Sequence, residues 1–131
     1  MRDYLDRTLA EARERGWVAT LLGRRRYLPG LTSAHGLERS NAERAAINTP
    51  LQGSAADLVK LAMIRVEGAL PRAGLAARLL LQVHDELLLE CPAGEAAAVA
   101  ALVRREMEGC YPMTVPLQVS VGQGTSWFDA H

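Results

Sequence analysis

The 131 residues carry 15 basic and 15 acidic side chains, with 49% hydrophobic and only 5% aromatic residues, the composition of one globular domain of ordinary size. Mean hydropathy is −0.01, no apolar run approaches the ~20 residues of a membrane span, and the amino end lacks the pattern of a secretory leader, so the expected compartment is the cytoplasm. Cys91 and Cys110 are too far apart for a CxxC pair and too few for a disulfide scaffold, and read as free thiols.

Residues 2–15 bring Tyr4, Leu5, Thr8, Leu9 and Ala12 together at helical spacing before Gly16, which predicts a surface helix closed by that glycine. Residues 17–22 are apolar and β-prone, and residues 27–28 supply a return strand before Pro29-Gly30. A small hairpin is expected there, with Arg24, Arg25 and Arg26 at its bend. Residues 30–37 have loop composition, and 38–47 read as a short helix ending before Asn48-Thr49-Pro50. A second helix begins with Thr49 as N-cap, Pro50 as first helical residue and Gln52 completing a capping-box pattern. Its apolar stripe is Leu51, Ala55, Leu58, Val59, Ala62, Met63, Val66 and Leu70, and Pro71 and Gly74 end it. Residues 78–90 are two apolar runs split by His84-Asp85-Glu86, a hairpin with charges at its turn. Residues 93–109 form an Ala-rich amphipathic helix, and Val115, Leu117, Val119 and Val121 alternate as in a half-buried strand. The predicted class is α+β, an antiparallel sheet with packed helices.

The neutral total hides a division. Residues 1–44 hold nine arginines and six acids, a balance of +3, whereas 45–131 hold six basic residues and nine acids, a balance of −3. That division suits one part gripping a polyanion and another holding cations. Fourteen of the fifteen basic residues are arginine, a bias that genome composition explains as readily as a need for forked phosphate contacts.

Four groups of residues could carry chemistry. Asp85 and Glu86 are adjacent carboxylates that repel one another, and need solvent at a turn, protonation of one, or a bound cation. Mg²⁺ is the productive cation, because it takes one or two carboxylates together with phosphate oxygens; the alternative is a solvated turn. His84 could assist as ligand, acid or hydrogen-bond donor, or be structural, and no spacing suggests zinc. Three guanidiniums at Arg24–Arg26 would be relieved by a phosphate backbone, or by water. Arg44, Asn48 and Gln52 recur every four residues and share a side if the two helices run nearly in line. Arginine and amides so placed suit minor-groove acceptors, which are present at every base pair, although capping and turn roles also account for the amides. A Ser/His/Asp hydrolase is set aside, since no GxSxG elbow occurs.

Four segments, in order, resemble the family A DNA polymerases. Residues 20–29, TLLGRRRYLP, are similar to that family's TxxGRRRxxP segment, and residues 43–57, ERAAINTPLQGSAAD, to its ERAAINxPxQGTAAD helix. Residues 82–86, QVHDE, match its motif C, and residues 121–131, VGQGTSWFDAH, are similar to its carboxyl terminus. Ser54 in place of threonine and Leu88-Leu89 in place of Val-Phe are mild departures.

The resemblance implies part of the polymerase palm with the end of the fingers. Residues 1–47 would be the fingers/palm junction with DNA-contacting segments, and 48–131 the palm with the motif C hairpin. It implies template-directed transfer of dNTP onto a primer 3′-hydroxyl by a two-metal Mg²⁺ mechanism. Asp85 would ligate metal and Glu86 would support the site less directly. Gln82 and His84 would lie against the primer terminus, Arg44, Asn48 and Gln52 along the minor groove, and Arg24, Arg25 and Arg26 at the duplex backbone. The family's first catalytic aspartate and its nucleotide-binding fingers helix do not occur in the sequence. The expectation is therefore a carboxyl-terminal segment, nucleoid-associated in the cytoplasm, that acts on primer–template DNA and dNTP only with the missing amino-terminal part. The alternative is a non-catalytic module that binds duplex DNA without regard to sequence.

Overall fold

In the computed structural model, which describes residues 1–131, the first helix α1 (Arg2–Arg15) ends as its sequence dictates. Gly16 adopts φ 81, a left-handed conformation that glycine enters without strain, and its N–H returns to the Ala12 carbonyl at 2.8 Å. Strands β1 (Trp17–Ala19) and β2 (Arg25–Tyr27) form an antiparallel ribbon in which Trp17 opposes Tyr27 and Ala19 opposes Arg25. The hairpin is therefore present, but the arginines are not clustered at its bend. Arg25 and Arg26 lie within β2, where the alternation of a strand sends them to opposite faces. A turn of 3₁₀ helix at Pro29–Thr32 then leads to the long helix.

That helix, α2 (Gly36–Arg72), corrects the expectation of two helices meeting at Pro50. Thr49 is not an N-cap: its hydroxyl accepts from Arg26 Nη1 at 3.1 Å. Proline inside a helix removes one hydrogen bond and crowds the carbonyl four residues back, at a cost of ~3 kcal/mol. Tertiary burial on both sides of Pro50 opposes that cost. Ala42 and Ala46 are buried with Ala12, Val18, Leu28 and Leu31 in one core. Further along α2, Val66, Ala69 and Leu70 are buried in another with Ala77, Val99, Leu102 and Val103. The exit of α2 is a Schellman arrangement: Gly74 at φ 71 donates to the Pro71 carbonyl at 3.0 Å, and Leu75 to that of Leu70 at 3.1 Å.

The two cores belong to two units, Met1–Asp57 and Leu58–His131. In the second, β3 (Arg78–Val83) and β4 (Glu86–Glu90) pair antiparallel from Arg78–Glu90 to Val83–Glu86, with Leu80 as an extra residue that interrupts the register. Helix α3 (Ala96–Glu108) buries Val99, Leu102 and Val103, as its periodicity predicts. Cys110 is buried and Cys91 half-buried, both free, and burial pushes the Cys110 thiol pKa up.

The α+β class with antiparallel pairing and packed helices holds, the pairing taking the form of two two-stranded ribbons. One further expectation needs correction. Residues 115–121 form no strand, although Leu117, Val119 and Val121 are half-buried and Pro116, Gln118 and Ser120 exposed, the alternation that the sequence carries from Pro116 on; Val115 is exposed. Alternation supplies a face, whereas a strand needs a ladder partner; here the Val119 N–H goes to the Glu108 carboxylate at 3.0 Å. A short helix, α4 (Trp127–Ala130), closes the chain. No helix is long and apolar enough to cross a membrane.

Candidate nucleic-acid and metal site

In the first unit the hairpin and α2 are joined by a buried carboxylate. Thr20 Oγ1 donates to Asp57 Oδ2 at 2.5 Å and Arg24 Nε donates to Asp57 Oδ1 at 2.9 Å, while the Arg24 N–H returns to Thr20 Oγ1 at 3.2 Å. The Asp57 side chain is 7% exposed and that of Arg24 55%, so the buried charge has a charged partner and a hydroxyl while the guanidinium keeps an open edge. Gly53 makes the approach possible: a β-carbon there would lie 2.7 Å from Thr20 Cγ2, closer than packed carbon atoms tolerate.

Each arginine of the segment thus has its own partner. Arg24 takes Asp57, Arg25 lies 4.1 Å above the Trp17 ring, and Arg26 holds Thr49. Arg15 also approaches Trp17, at 5.3 Å. Arg44, Asn48 and Gln52 are all exposed on the uninterrupted α2, where a spacing of four residues puts them on one face. Gln52, free of the capping role, presents its amide outward.

In the second unit the β3–β4 turn has two central residues, His84 and Asp85, between the paired Val83 and Glu86. His84 has φ 52, the only non-glycine residue with positive φ. Two-residue hairpins demand this conformation and usually meet it with glycine or asparagine; a histidine there costs on the order of 1 kcal/mol. Gln82 Nε2 braces the turn by donating to the His84 carbonyl at 2.8 Å. Gln82, His84, Asp85 and Glu86 are all exposed, so solvent already answers the mutual repulsion of the carboxylates.

Glu86 has a further partner that the sequence reading did not anticipate. His131 Nε2 lies 3.1 Å from Glu86 Oε2, and His131 Nδ1 lies 3.1 Å from the Trp127 carbonyl. The Trp127 carbonyl and then the Glu86 charge favour the protonated imidazole and raise its pKa. Forty-five residues separate this pair, and no local pattern signals it. The Thr20–Asp57 bond was equally hidden.

As a cation site, the turn offers two carboxylates, and nowhere in the chain do three His, Cys, Asp or Glu side chains converge as a metal cluster. Such a donor set suits Mg²⁺ bound through one or two carboxylates, with water, phosphate or other protein groups completing the shell.

A family model described as DNA polymerase family A matches residues 1–129. DNA polymerase I of Mycobacterium tuberculosis is 58% identical over 127 residues, 97% of this chain and 14% of that protein. The thermostable DNA polymerase I of Thermus aquaticus is 52% identical over 130 residues, 99% of this chain and 15% of that protein. A solved structure of the POL domain of Pol1 from M. smegmatis, in complex with DNA primer-template and dNTP, superimposes with a TM-score of 0.95 at 55% identity, covering 98% of this chain and 23% of that one. The chain thus spans about one seventh of the length of these curated relatives.

Proposed function

This chain belongs to the family A DNA polymerases, and on that premise we propose that it serves as one segment of an enzyme adding dNTP units to a primer 3′-hydroxyl under the direction of a template. The observation that carries the reading is the β3–β4 turn, where a strained His84 and a bracing Gln82 hold Asp85 and Glu86 out from the ends of two paired strands. Strain retained at a turn bearing two carboxylates is what a site that must aim them at a ligand requires.

Asp85 holds Mg²⁺ and Glu86 supports the site. When bound, the ion acidifies the primer hydroxyl and offsets charge on the phosphates. Gln82 and His84 orient the primer end. Arg44, Asn48 and Gln52 donate to minor-groove acceptors, which checks pair geometry without selecting sequence. Arg25, Arg26 and the open edge of Arg24 meet backbone phosphates. Residues 1–47 act as the fingers/palm junction and 48–131 as palm. The remaining metal ligands and the dNTP site come from outside these 131 residues, so the isolated chain does not extend primers. The enzyme works on chromosomal DNA in the cytoplasm.

Primer extension by the polymerase carrying this segment provides the test. Asp85→Asn should lower kcat by about 100-fold or more, while primer–template Kd stays within about 3-fold because the DNA-facing arginines and amides are untouched. Extension at the normal rate by this variant would sink the metal role of Asp85.

A further inference from the structure

The carboxylates of the turn are not equivalent. Glu86 is joined to His131, whereas Asp85 makes no bond within the chain and is open to a ligand. Both groups that face the His131 ring, the Trp127 carbonyl and the Glu86 carboxylate, can only accept hydrogen bonds. The Nε2 position therefore holds one of the two adjacent carboxylates and leaves the other open.

The segment that carries His131 is built to hold it there. A four-residue helix has too few internal hydrogen bonds to persist unaided, and α4 is secured from outside itself. Ser126 caps it by accepting from the Asp129 N–H at 3.2 Å and donating to Asp129 Oδ2 at 2.8 Å, and Thr125 donates to the same carboxylate oxygen at 3.1 Å. The preceding glycines let the backbone pass directly against it. A β-carbon on Gly122 would lie 1.8 Å from the Ala130 carbonyl oxygen, and one on Gly124 2.7 Å from the Asp129 carbonyl carbon. The Trp127 ring stands 5.9 Å from the imidazole, tilted by 51°.

We infer that His131 is a positioning residue for the proposed reaction: it fixes the Glu86 carboxylate on the turn through a hydrogen bond and leaves Asp85 as the carboxylate that binds the divalent cation. The inference rests on the polymerase reading and deepens it. Groups that orient a metal-site carboxylate without touching the metal typically affect metal affinity or activity by about 10–100-fold.

The test is the Mg²⁺ dependence of primer extension by the complete polymerase, with His131→Ala, His131→Gln and Asp85→Ala compared. His131→Ala should raise the Mg²⁺ concentration for half-maximal rate and lower kcat, each by about 10-fold, with primer–template Kd unchanged. His131→Gln, whose amide nitrogen reaches nearly as far as Nε2, should recover most of the loss; a merely structural role of the ring would give no such recovery. An Ala variant with normal Mg²⁺ dependence and kcat, or a Gln variant as impaired as Ala, overturns the inference. Asp85→Ala separates the two levels. If it is inactive while His131→Ala is normal, only the role of His131 falls, whereas an active Asp85→Ala enzyme removes the proposed metal role of the β3–β4 turn on which the inference rests.

Discussion

At the scale of single residues, the hairpin and helix of the first unit depend on one carboxylate. Asp57 is buried, and removing it leaves the Thr20 hydroxyl without its acceptor and Arg24 without its counter-charge. Losing one member of a buried ion pair costs about 3–5 kcal/mol when the other stays buried. Arg24 is 55% exposed and can return to water, so Asp57→Ala is expected to lower stability by about 1–3 kcal/mol. Urea unfolding measures this directly, and a loss below about 0.5 kcal/mol would show that the pair is incidental. The sequence marked Arg24 as one of three like charges in search of an anion. Its nearest anion is Asp57, 33 residues away, and only the folded chain reveals that pairing. Asp85 and Glu86 were legible for the opposite reason, since adjacent carboxylates between apolar runs are conspicuous without any knowledge of partners.

At the scale of elements, α2 separates local signals from tertiary ones. Thr49, Pro50 and Gln52 spell a helix start, and residues 38–47 spell a helix that stops before it. Local chemistry therefore argues for a break, yet the helix continues from Gly36 to Arg72, because apolar faces on either side of Pro50 are both buried. Ser54 ties the stretch around Pro50 to the hairpin by donating to the Pro50 carbonyl and accepting the Leu21 N–H at 2.8 Å. A proline in a continuous helix should be improvable. Pro50→Ala is expected to raise stability by about 1–3 kcal/mol, as measured by thermal or urea unfolding. If Pro50 were the first residue of a separate helix, the same change would be neutral or mildly destabilising. The elements read correctly from sequence, α1 with its Gly16 end, the 78–90 hairpin and α3, are those whose start, stop and periodicity agree. Residues 115–121 failed for a different reason: their alternation is visible in the burial from Pro116 on, but no strand of this chain pairs with them.

At the scale of the whole molecule, the charge division acquires an address. The arginine-rich residues 1–44 lie within the unit Met1–Asp57, which carries Arg24, Arg25, Arg26, Arg44, Asn48 and Gln52, and the Asp85–Glu86 turn lies in the other unit, where acids outnumber basic residues. Family membership was legible because four spaced motifs are difficult to assemble by chance; the roles of Asp57 and His131 were not, because each acts through a contact between distant parts of the chain. The proposal as a whole stands on a divalent cation held at the β3–β4 turn, and Fe²⁺ in place of Mg²⁺ locates such a cation by cutting the nearby backbone in the presence of ascorbate and peroxide. With the polymerase bound to primer–template DNA and dNTP, cleavage is expected within residues 83–87, suppressed by excess Mg²⁺ and abolished by Asp85→Ala. An active polymerase cut elsewhere but left intact at 83–87 would contradict the account.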